Sequence, residues 1–406
     1  MSETQLSPEA YTRRLVAQKE KFAQLLTAAM EKNEESKREQ LQLIVVSLTE
    51  ALTFIRQSYQ HEMTCRKGAL AALGKLRKAL DNASYTSAAQ ALRAKGNTGE
   101  AEKIFDKIIG KGGRIGAFAS FQSGQLAECR MDLSRAAVRF DKAVELDKVN
   151  PHYLKASGLL ARKMYQHKKS LLRLTTLEKL LVRQGKDTVE LALARRELAY
   201  SAALAGQHKP AGAYYKKAMA SLAKLRGPKD PEMGICWFQI GLLKESLGQY
   251  EEAEKPYKQS LAIMSKTNDH ITLAGILDKL ARLHMELEDE PEAIPLFEHL
   301  LKIRRNSPHP DLAGIIIVYN NLGEAYRICG KYDLSERAYT FALKATQKLR
   351  GKDHPAVGSI YQELAKLCER QRKMDEAKKY NKMASAIFER ILKEQEAAGE
   401  EERLTL

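Results

Sequence analysis

The chain has 406 residues, with 67 Lys and Arg against 51 Asp and Glu and a formal net charge of +16 at pH 7. Its longest apolar runs, residues 69–73 and 315–319, are too short to cross a bilayer, and the N-terminus lacks a basic-then-apolar signal region. Because the five cysteines are odd in number, widely spaced and without a Cys-x-x-Cys pair, a disulfide scaffold is excluded and we expect a cytoplasmic protein without membrane insertion.

Residues 1–84 are predicted to form a helical region that precedes the rest of the fold. After Ser7-Pro8, which is typical of a helix start, apolar residues share one face up to about residue 32, and a second stripe begins near residue 41. The second stripe has heptad-like spacing but is too short for a sustained coiled coil. We favour a helical hairpin that caps the following repeats, with a short coiled coil as the alternative.

A small residue recurs at intervals of 34 to 42 residues, at the start of the second helix of each predicted helical pair. We call it the reference residue, and its copies are Ala101, Ala136, Ser170, Ala211, Ala253, Ala293, Ser335 and Ala377. A bulky apolar side chain, often aromatic, follows four residues later in every copy except the last, which has Asn381, and a Gly or Ala precedes by twelve residues. This pattern predicts stacked helix pairs that approach closely at the small residues.

The pattern resembles the tetratricopeptide repeat, over roughly three quarters of the chain, from about Tyr85 to about Phe388. The later and longer copies resemble the repeat of kinesin light chains, as shown by YNNLGEAYRICGKYDLSERAY and LRGKDHPAV and by related linkers at 225–234 and 307–314. The resemblance implies an all-α, right-handed α-solenoid of helix pairs. We expect shorter, basic repeats at 85–182, longer repeats at 183–390, and a charged tail at 391–406 whose acidic part frays.

The resemblance also implies that the first helices line a concave groove that binds a peptide. Asn320 and Asn321 match the Asn-Asn pair of the kinesin-type repeat, in which an amide forms hydrogen bonds with the backbone of an extended peptide. Basic side chains at nearby groove positions would favour an acidic peptide. The predicted groove residues are Asn320, Asn321, Arg327, Arg282, Lys366, Tyr200 and Arg196.

Positive charge is concentrated in one part of the chain. Residues 61–182 hold 23 Lys and Arg against 11 Asp and Glu, and residues 183–240 hold 10 against 5, whereas residues 241–406 are balanced at 26 and 27. The densest basic patch comprises Arg162, Lys163, Lys168 and Lys169. Because it lacks an aromatic stacking platform, we favour a solvated face or a contact for an acidic protein over a nucleic-acid site.

Catalysis is not predicted. The nine histidines form no His-x-x-x-His pair, and no Gly-x-Ser-x-Gly elbow occurs, so we assign no catalytic residue, metal or cofactor. The sequence favours a non-enzymatic scaffold or adaptor that holds an extended peptide or helix of a partner protein. The alternatives are a regulatory or sensor solenoid whose shape responds to a peptide or small ligand, and nucleic-acid binding through residues 61–240. The oligomeric state stays unassigned.

Overall fold

The computed structural model describes residues 16–17, 19–21, 23–24, 67–76, 98–307 and 311–404. Within these ranges the regular structure is helical and contains no strand, which confirms the predicted all-α fold. The described residues before position 77 are helical, but most of the predicted N-terminal hairpin lies outside the described ranges.

From residue 98 onward, helices alternate with short turns and linkers. They are α1 (Thr98–Ile109), α2 (Gly113–Cys129), α3 (Leu133–Leu146), α4 (Pro151–Lys163), α5 (His167–Arg183), α6 (Val189–Leu204), α7 (His208–Arg226), α8 (Pro231–Ser246), α9 (Tyr250–Met264), α10 (His270–Glu286), α11 (Glu290–Asn306), α12 (Leu312–Ile328), α13 (Tyr332–Arg350), α14 (Pro355–Arg370) and α15 (Met374–Leu404). The even-numbered helices are the first helices of the predicted pairs, and the odd-numbered helices are the second. Each first helix packs chiefly against the second helix of its own pair, so the structure has the predicted solenoid organisation.

From residue 56 onward, the chain divides into two compact units, with the boundary between Thr267 and Asn268. The first unit contains α1 to α9, and the second contains α10 to α15. In the first unit, the helical residues 67–76 add Leu73 to the same core as Phe105 of α1. The boundary falls inside the stretch of longer repeats predicted for 183–390.

The reference residues are among the most deeply buried positions of the second helices. Seven of the copies have no solvent exposure, and Ala377 is 2% exposed. The bulky residues four positions later are equally buried in the first seven copies, whereas Asn381 is exposed. The sequence pattern therefore placed the core side chains correctly, including the copy in which the pattern breaks.

Glycines of the first helices allow the two helices of a pair to touch. A Cβ atom added to Gly241 would lie 2.4 Å from the Tyr257 ring, and one added to Gly323 would lie 2.7 Å from the Tyr339 ring. Both rings are fully buried and cannot move aside. In each case the glycine precedes the ring by 16 residues. This is the sum of the twelve residues from the glycine to the reference residue and the four residues from there to the bulky side chain.

The turn inside each pair has the same backbone geometry in every described copy. The residue five positions before the reference residue has a positive φ, as in Gly206 (75°), Gly248 (70°) and Gly330 (72°). The following N–H donates to the carbonyl five residues earlier, a Schellman arrangement that satisfies the end of the first helix. The donors are Asp132, Gln166, Gln207, Gln249, Asp289, Lys331 and Lys373, at 2.8–3.0 Å.

The linkers of the longer repeats end one helix and cap the next. Gly227 and Gly351 end α7 and α13 with φ near 90° (91° and 92°). The His354 Nδ1 atom accepts a hydrogen bond from the Ala356 N–H at 3.1 Å, so this histidine is an N-cap of α14. The matching His309 lies outside the described residues.

The C-terminal helix extends further than expected. Helix α15 continues to Leu404, through the acidic stretch that the sequence analysis expected to fray. No helix in the described part of the chain is both long and apolar enough to span a membrane.

Candidate partner-binding faces

In the second unit, the Asn-Asn pair lies in the middle of α12. Asn320 and Asn321 are both half-buried. The Oδ1 atom of Asn320 is shielded from solvent and accepts no hydrogen bond within the described structure. A buried acceptor without a partner costs roughly 1–3 kcal/mol, and rotation about χ2 exchanges the amide oxygen and nitrogen without changing the shape of the side chain. Asn320 can therefore offer this acceptor to a ligand only after the amide has rotated.

Arg327 lies two turns after Asn320 on the same helix, but it partly serves the core. The pKa of Tyr339 is raised, mainly by burial and to a smaller extent by the carboxylate of Glu363. The side chain of Arg327 acts in the opposite direction, because its hydrogen bond to Tyr339 and its positive charge lower the pKa. The net direction is upward, so Tyr339 stays neutral. The Nε atom of Arg327 is buried and has no hydrogen-bond partner within the described residues. Arg327 is therefore both a neighbour of the core tyrosine and a remaining donor.

A solvent-exposed row crosses the first helices of the second unit. Arg282 of α10, Glu324 of α12 and Lys366 of α14 occupy the same repeat position, eleven residues before the reference residue, and all three are exposed. Lys366 pairs with Glu363 on its own helix at 2.6 Å. We call Arg282, Asn320, Glu324, Arg327 and Lys366 the first-helix face. Its charge is mixed, because Glu324 lies between the basic residues that the sequence analysis named.

In the first unit, the predicted groove residues belong to an ion-pair network that links three first helices. Arg162 of α4 contacts Glu197 of α6 at 2.7 Å, and Arg196 contacts the same carboxylate at 2.6 Å. Arg196 also pairs with Glu232 of α8. The guanidinium of Arg162 lies 4.9 Å from the centre of the Tyr200 ring, within the range of a cation–π interaction. Arg162, Arg196 and Tyr200 are thus brought together, but the two arginines already have carboxylate partners.

Burial and ion pairing shift the pKa values of the groups in this network in opposite directions. Burial raises the pKa of Glu197, but the positive charges of Arg196 and Arg162 and their hydrogen bonds outweigh it and lower the pKa below its ordinary value. Burial lowers the pKa of Arg196, and the carboxylates of Glu197 and Glu232 reverse that and raise it. Both groups therefore remain charged in the folded protein.

Further polar groups of the first unit are buried without hydrogen-bond partners. Within the described structure these include the Tyr215 hydroxyl and the Oε1 atom of Gln239. Burial raises the pKa of the Tyr215 hydroxyl, and burial likewise raises the pKa of the Cys236 thiol to about 12. These groups stay neutral, so they offer hydrogen-bonding capacity rather than nucleophilic chemistry.

The basic patch is largely compensated by acidic side chains of the same chain. Lys163 pairs with Glu128 at 2.6 Å, and Lys169 pairs with Asp141. Arg162 forms its ion pair with Glu197, and Lys168 is exposed. Three of the four predicted patch residues therefore have internal counter-ions, which weakens the case for a nucleic-acid surface.

The structure separates the predicted groove residues into two sets. Asn320, Asn321 and Arg327 share α12, and Arg282 and Lys366 lie on the neighbouring first helices of the second unit, whereas Arg196 and Tyr200 belong to the first unit. The sequence analysis missed Glu197, although it directly follows Arg196. Glu197 could have been found from its repeat position, fourteen residues before the reference residue. In other longer repeats this position holds Gln239, Asn321 and Glu363, which are also polar.

Comparison with known proteins agrees with the repeat assignment. The family model described as tetratricopeptide repeat matches residues 190–266 and 314–390. Kinesin light chain-related proteins 3 and 1 of Arabidopsis thaliana are 28% and 24% identical over 193 and 198 residues. These matches include 46% and 47% of this chain but 29% and 32% of the relatives. The chain thus spans about a third of the length of the curated relatives it matches.

This chain is also similar to solved structures at low sequence identity. The apo form of the quorum sensor NprR from B. thuringiensis has a TM-score of 0.51 and 15% identity, and the match covers 93% of this chain and 99% of that one. A Podosopora anserina kinesin light chain-type protein with nearly identical TPR-like repeats has a TM-score of 0.44 and 20% identity, covering 51% of this chain and 99% of that one. At these identities, the likeness to NprR supports the solenoid fold alone.

Proposed function

Because this chain is a tetratricopeptide-repeat protein whose later repeats are similar to those of kinesin light chains, we propose that it is a non-enzymatic scaffold that holds an extended peptide of a partner protein. The first-helix face of the second unit is the proposed binding surface. The observation that carries the proposal is the half-buried side chain of Asn320 in the middle of α12, whose shielded Oδ1 atom has no hydrogen-bond partner within the described residues. The cytoplasmic location expected from the sequence stays a prediction.

The chemistry of the face defines the peptide that it would hold. Asn320 can exchange a donor for an acceptor, so it can bind a backbone N–H or a backbone carbonyl of an extended segment. Arg282 is exposed on one side of it and Lys366 on the other. Each favours an acidic side chain, while the exposed Glu324 between them favours a basic or polar residue at the centre of the peptide. The partner segment is therefore acidic at both ends of the contact rather than throughout.

A repeat scaffold suits this role because its binding side chains are fixed before the peptide arrives. Asn320 and Asn321 are on a helix whose neighbours Leu322 and Gly323 are packed in the core. Ordering of the protein side therefore costs little on binding, and only the peptide loses conformational freedom. The second unit behaves as a preformed surface in this proposal.

The test is peptide selection followed by measurement of affinity. Short peptides rich in Asp and Glu, displayed as a library, are selected on the intact protein, and the best sequences are labelled and titrated by fluorescence anisotropy. We expect the double variant Asn320→Ala, Arg282→Ala to lose at least about tenfold in affinity, because a neutral and a charge-assisted hydrogen bond together contribute more than about 1.4 kcal/mol. Arg327 is left intact because it also contacts Tyr339.

The matched control is Asn381→Ala, which removes an exposed asparagine from the second helix α15. It is expected to leave the affinity unchanged. Equal affinity for the double variant and the wild-type protein, across all selected peptides, would show that the first-helix face is not the binding surface.

A further inference from the structure

Three of the described helix pairs have a tyrosine at the bulky core position, four residues after the reference residue. These are Tyr215, Tyr257 and Tyr339, and each residue is at most 1% exposed. A phenol hydroxyl that is removed from water needs a hydrogen-bond partner, because an unpaired buried polar group is costly. The partners of these three hydroxyls therefore show what the surrounding repeat positions supply.

Two of the hydroxyls are satisfied by charged side chains of first helices. Tyr257 donates to Glu245 at 2.5 Å. Tyr339 donates to Glu363 at 3.4 Å and accepts a hydrogen bond from Arg327. Glu245 and Arg327 occupy the same repeat position, eight residues before the reference residue of their own pair, and Glu363 lies fourteen residues before the reference residue of the following pair. Side chains from these two repeat positions thus meet at the tyrosine hydroxyl.

The hydroxyl of Tyr215 has no such partner. The position eight residues before its reference residue is Ala203, which has no polar side chain, and the position in the following pair is Gln239. The Oε1 atom of Gln239 and the Tyr215 hydroxyl are both shielded from solvent, and neither has a hydrogen-bond partner within the described residues. In the other described pairs, the position of Ala203 holds a long side chain: Glu128, Arg162, Glu245, Met285, Arg327 or Glu369.

The side chains around the Tyr215 hydroxyl are partly open to solvent. Tyr200 and Ala203 of α6 and Ile240 of α8 pack against the core cluster that contains Tyr215, and all three are half-buried. Because the hydroxyl itself is shielded, a ligand reaches it only after one of these neighbours has turned outward. Rotamer changes of partly exposed side chains are fast compared with binding. The hydroxyl is therefore reachable without unfolding of a helix.

The charges near this hydroxyl favour a neutral ligand. Burial is the largest cause of the raised pKa of Tyr215, and of its ionised neighbours Glu197 raises the pKa and Arg162 lowers it. These two neighbours form an ion pair at 2.7 Å, and Arg196 is paired with Glu197 and Glu232. Two positive charges are thus balanced by two negative charges. A carboxylate or ammonium group of a ligand would be buried here without a counter-ion of its own.

We propose that Tyr215 and Gln239 form a subsite for the side-chain carboxamide of an asparagine or glutamine in a partner peptide, with Ala203 leaving room for it. The N–H of the carboxamide donates to the Gln239 Oε1 atom, and its carbonyl oxygen accepts from the Tyr215 hydroxyl. A carboxamide has both a donor and an acceptor, so it fits either orientation of the Gln239 amide. We call Tyr215, Gln239 and Ala203 the carboxamide subsite.

The carboxamide must belong to a longer segment. Two neutral hydrogen bonds contribute little net affinity, so free glutamine or asparagine would bind only weakly, and further contacts along a peptide are needed. The inference rests on the proposed role of the chain as a peptide-binding scaffold. It does not depend on the first-helix face, because the carboxamide subsite lies entirely in the first unit.

The experiment is a double-mutant cycle between the intact protein and a peptide. Short peptides with a fixed central glutamine, displayed as a library, are selected on the wild-type protein and titrated by fluorescence anisotropy. We expect Tyr215→Phe to bind a class of these peptides about fivefold more weakly, the effect of one neutral hydrogen bond. Replacement of the peptide glutamine by methionine, glutamate or lysine should weaken binding to the wild type. The methionine peptide should bind Tyr215→Phe and the wild type equally.

A second variant fills the subsite from within the chain. Ala203→Gln introduces a side chain as long as that of Glu245 at the same repeat position, where it can bond to the Tyr215 hydroxyl. We expect it to reduce the affinity for the same peptides at least about tenfold, because it occupies the place of the ligand carboxamide. Its thermal midpoint should stay equal or rise, since a buried hydroxyl gains a partner.

The matched control is Tyr257→Phe, which removes the hydroxyl at the same position of the next pair. It should leave peptide affinity unchanged and lower the thermal midpoint, because its bond to Glu245 is lost, whereas Tyr215→Phe should not lower the midpoint. Peptides that lose affinity only for Asn320→Ala, Arg282→Ala report on the first-helix face, so the two proposals fail separately. The carboxamide subsite is overturned if no selected peptide distinguishes Tyr215→Phe and Ala203→Gln from wild type. It is also overturned if Tyr215→Phe weakens the glutamine and methionine peptides equally.

Discussion

At the scale of single residues, the partners of the charged side chains determine what each can do. Arg162 and Arg196 are cationic positions by sequence, yet in the structure they are held by Glu197 and Glu232 and are only partly exposed. Breaking one member of such a buried group is costly, because the remaining charges lose their compensation. The ion pairs of these arginines therefore serve to stabilise the stack of first helices rather than to recognise a partner.

Glu197→Gln tests the stabilising role of the network. We expect a loss of about 2–3 kcal/mol in stability at neutral pH, because two buried guanidinium groups lose a charged acceptor. Thermal or urea unfolding measures it. The control Glu145→Gln, whose carboxylate is 64% exposed and pairs with Lys142, is expected to change stability by less than about 0.5 kcal/mol. A Glu197 variant as stable as this control would contradict the assignment.

The same network predicts a dependence on pH. The pKa of Glu197 is lower in the folded chain than its ordinary value, so the folded state binds its proton less well than the unfolded state does. Its stabilisation is present above the ordinary glutamate pKa of about 4.3 and is lost as the pH falls through the lower folded value. The stability gap between wild type and Glu197→Gln should therefore narrow from pH 7 to about pH 3; a constant gap would argue against a charged role.

At the scale of helices, the spacing of small residues could be translated directly into contacts. The sequence predicted close approach where Gly241 and Gly323 lie, and the structure places each against the buried ring sixteen residues later. This prediction succeeded because the closest approach of two helices is limited by the size of the side chains at the contact. The turns were harder to predict, since Met131, Tyr165, Glu288 and Arg372 occupy a left-handed position that glycine would normally mark.

Gly241→Ala tests the helix contact. The added Cβ would lie 2.4 Å from the Tyr257 ring, and this ring is fully buried, so we expect a loss of about 2–3 kcal/mol measured by thermal or chemical unfolding. Gly212→Ala is the matched control, because nothing lies within 4 Å of its Cβ position. In the exposed interior of α7 it should raise stability by up to about 1 kcal/mol. Similar effects of the two substitutions would refute close packing at Gly241.

At the scale of the whole molecule, the sequence revealed the repeats but not their grouping or their charges. Asn320 and Asn321 could be assigned to a first helix because their motif is local. The pairing of Arg196 with Glu232 could not be assigned, because it depends on the rotation of one repeat relative to the next. The unit boundary at Thr267 and Asn268 falls between two repeats of similar sequence pattern, so no compositional break marks it.

The central claim is that the first helices of the second unit bind the partner peptide, and hydrogen–deuterium exchange tests it directly. With a selected acidic peptide at saturation, we expect slower amide exchange in α12, Leu312–Ile328, and in the adjoining first helices α10 and α14. The second helices α11, α13 and α15 should be unchanged. Protection confined to the second helices, with none in α12, would contradict the account.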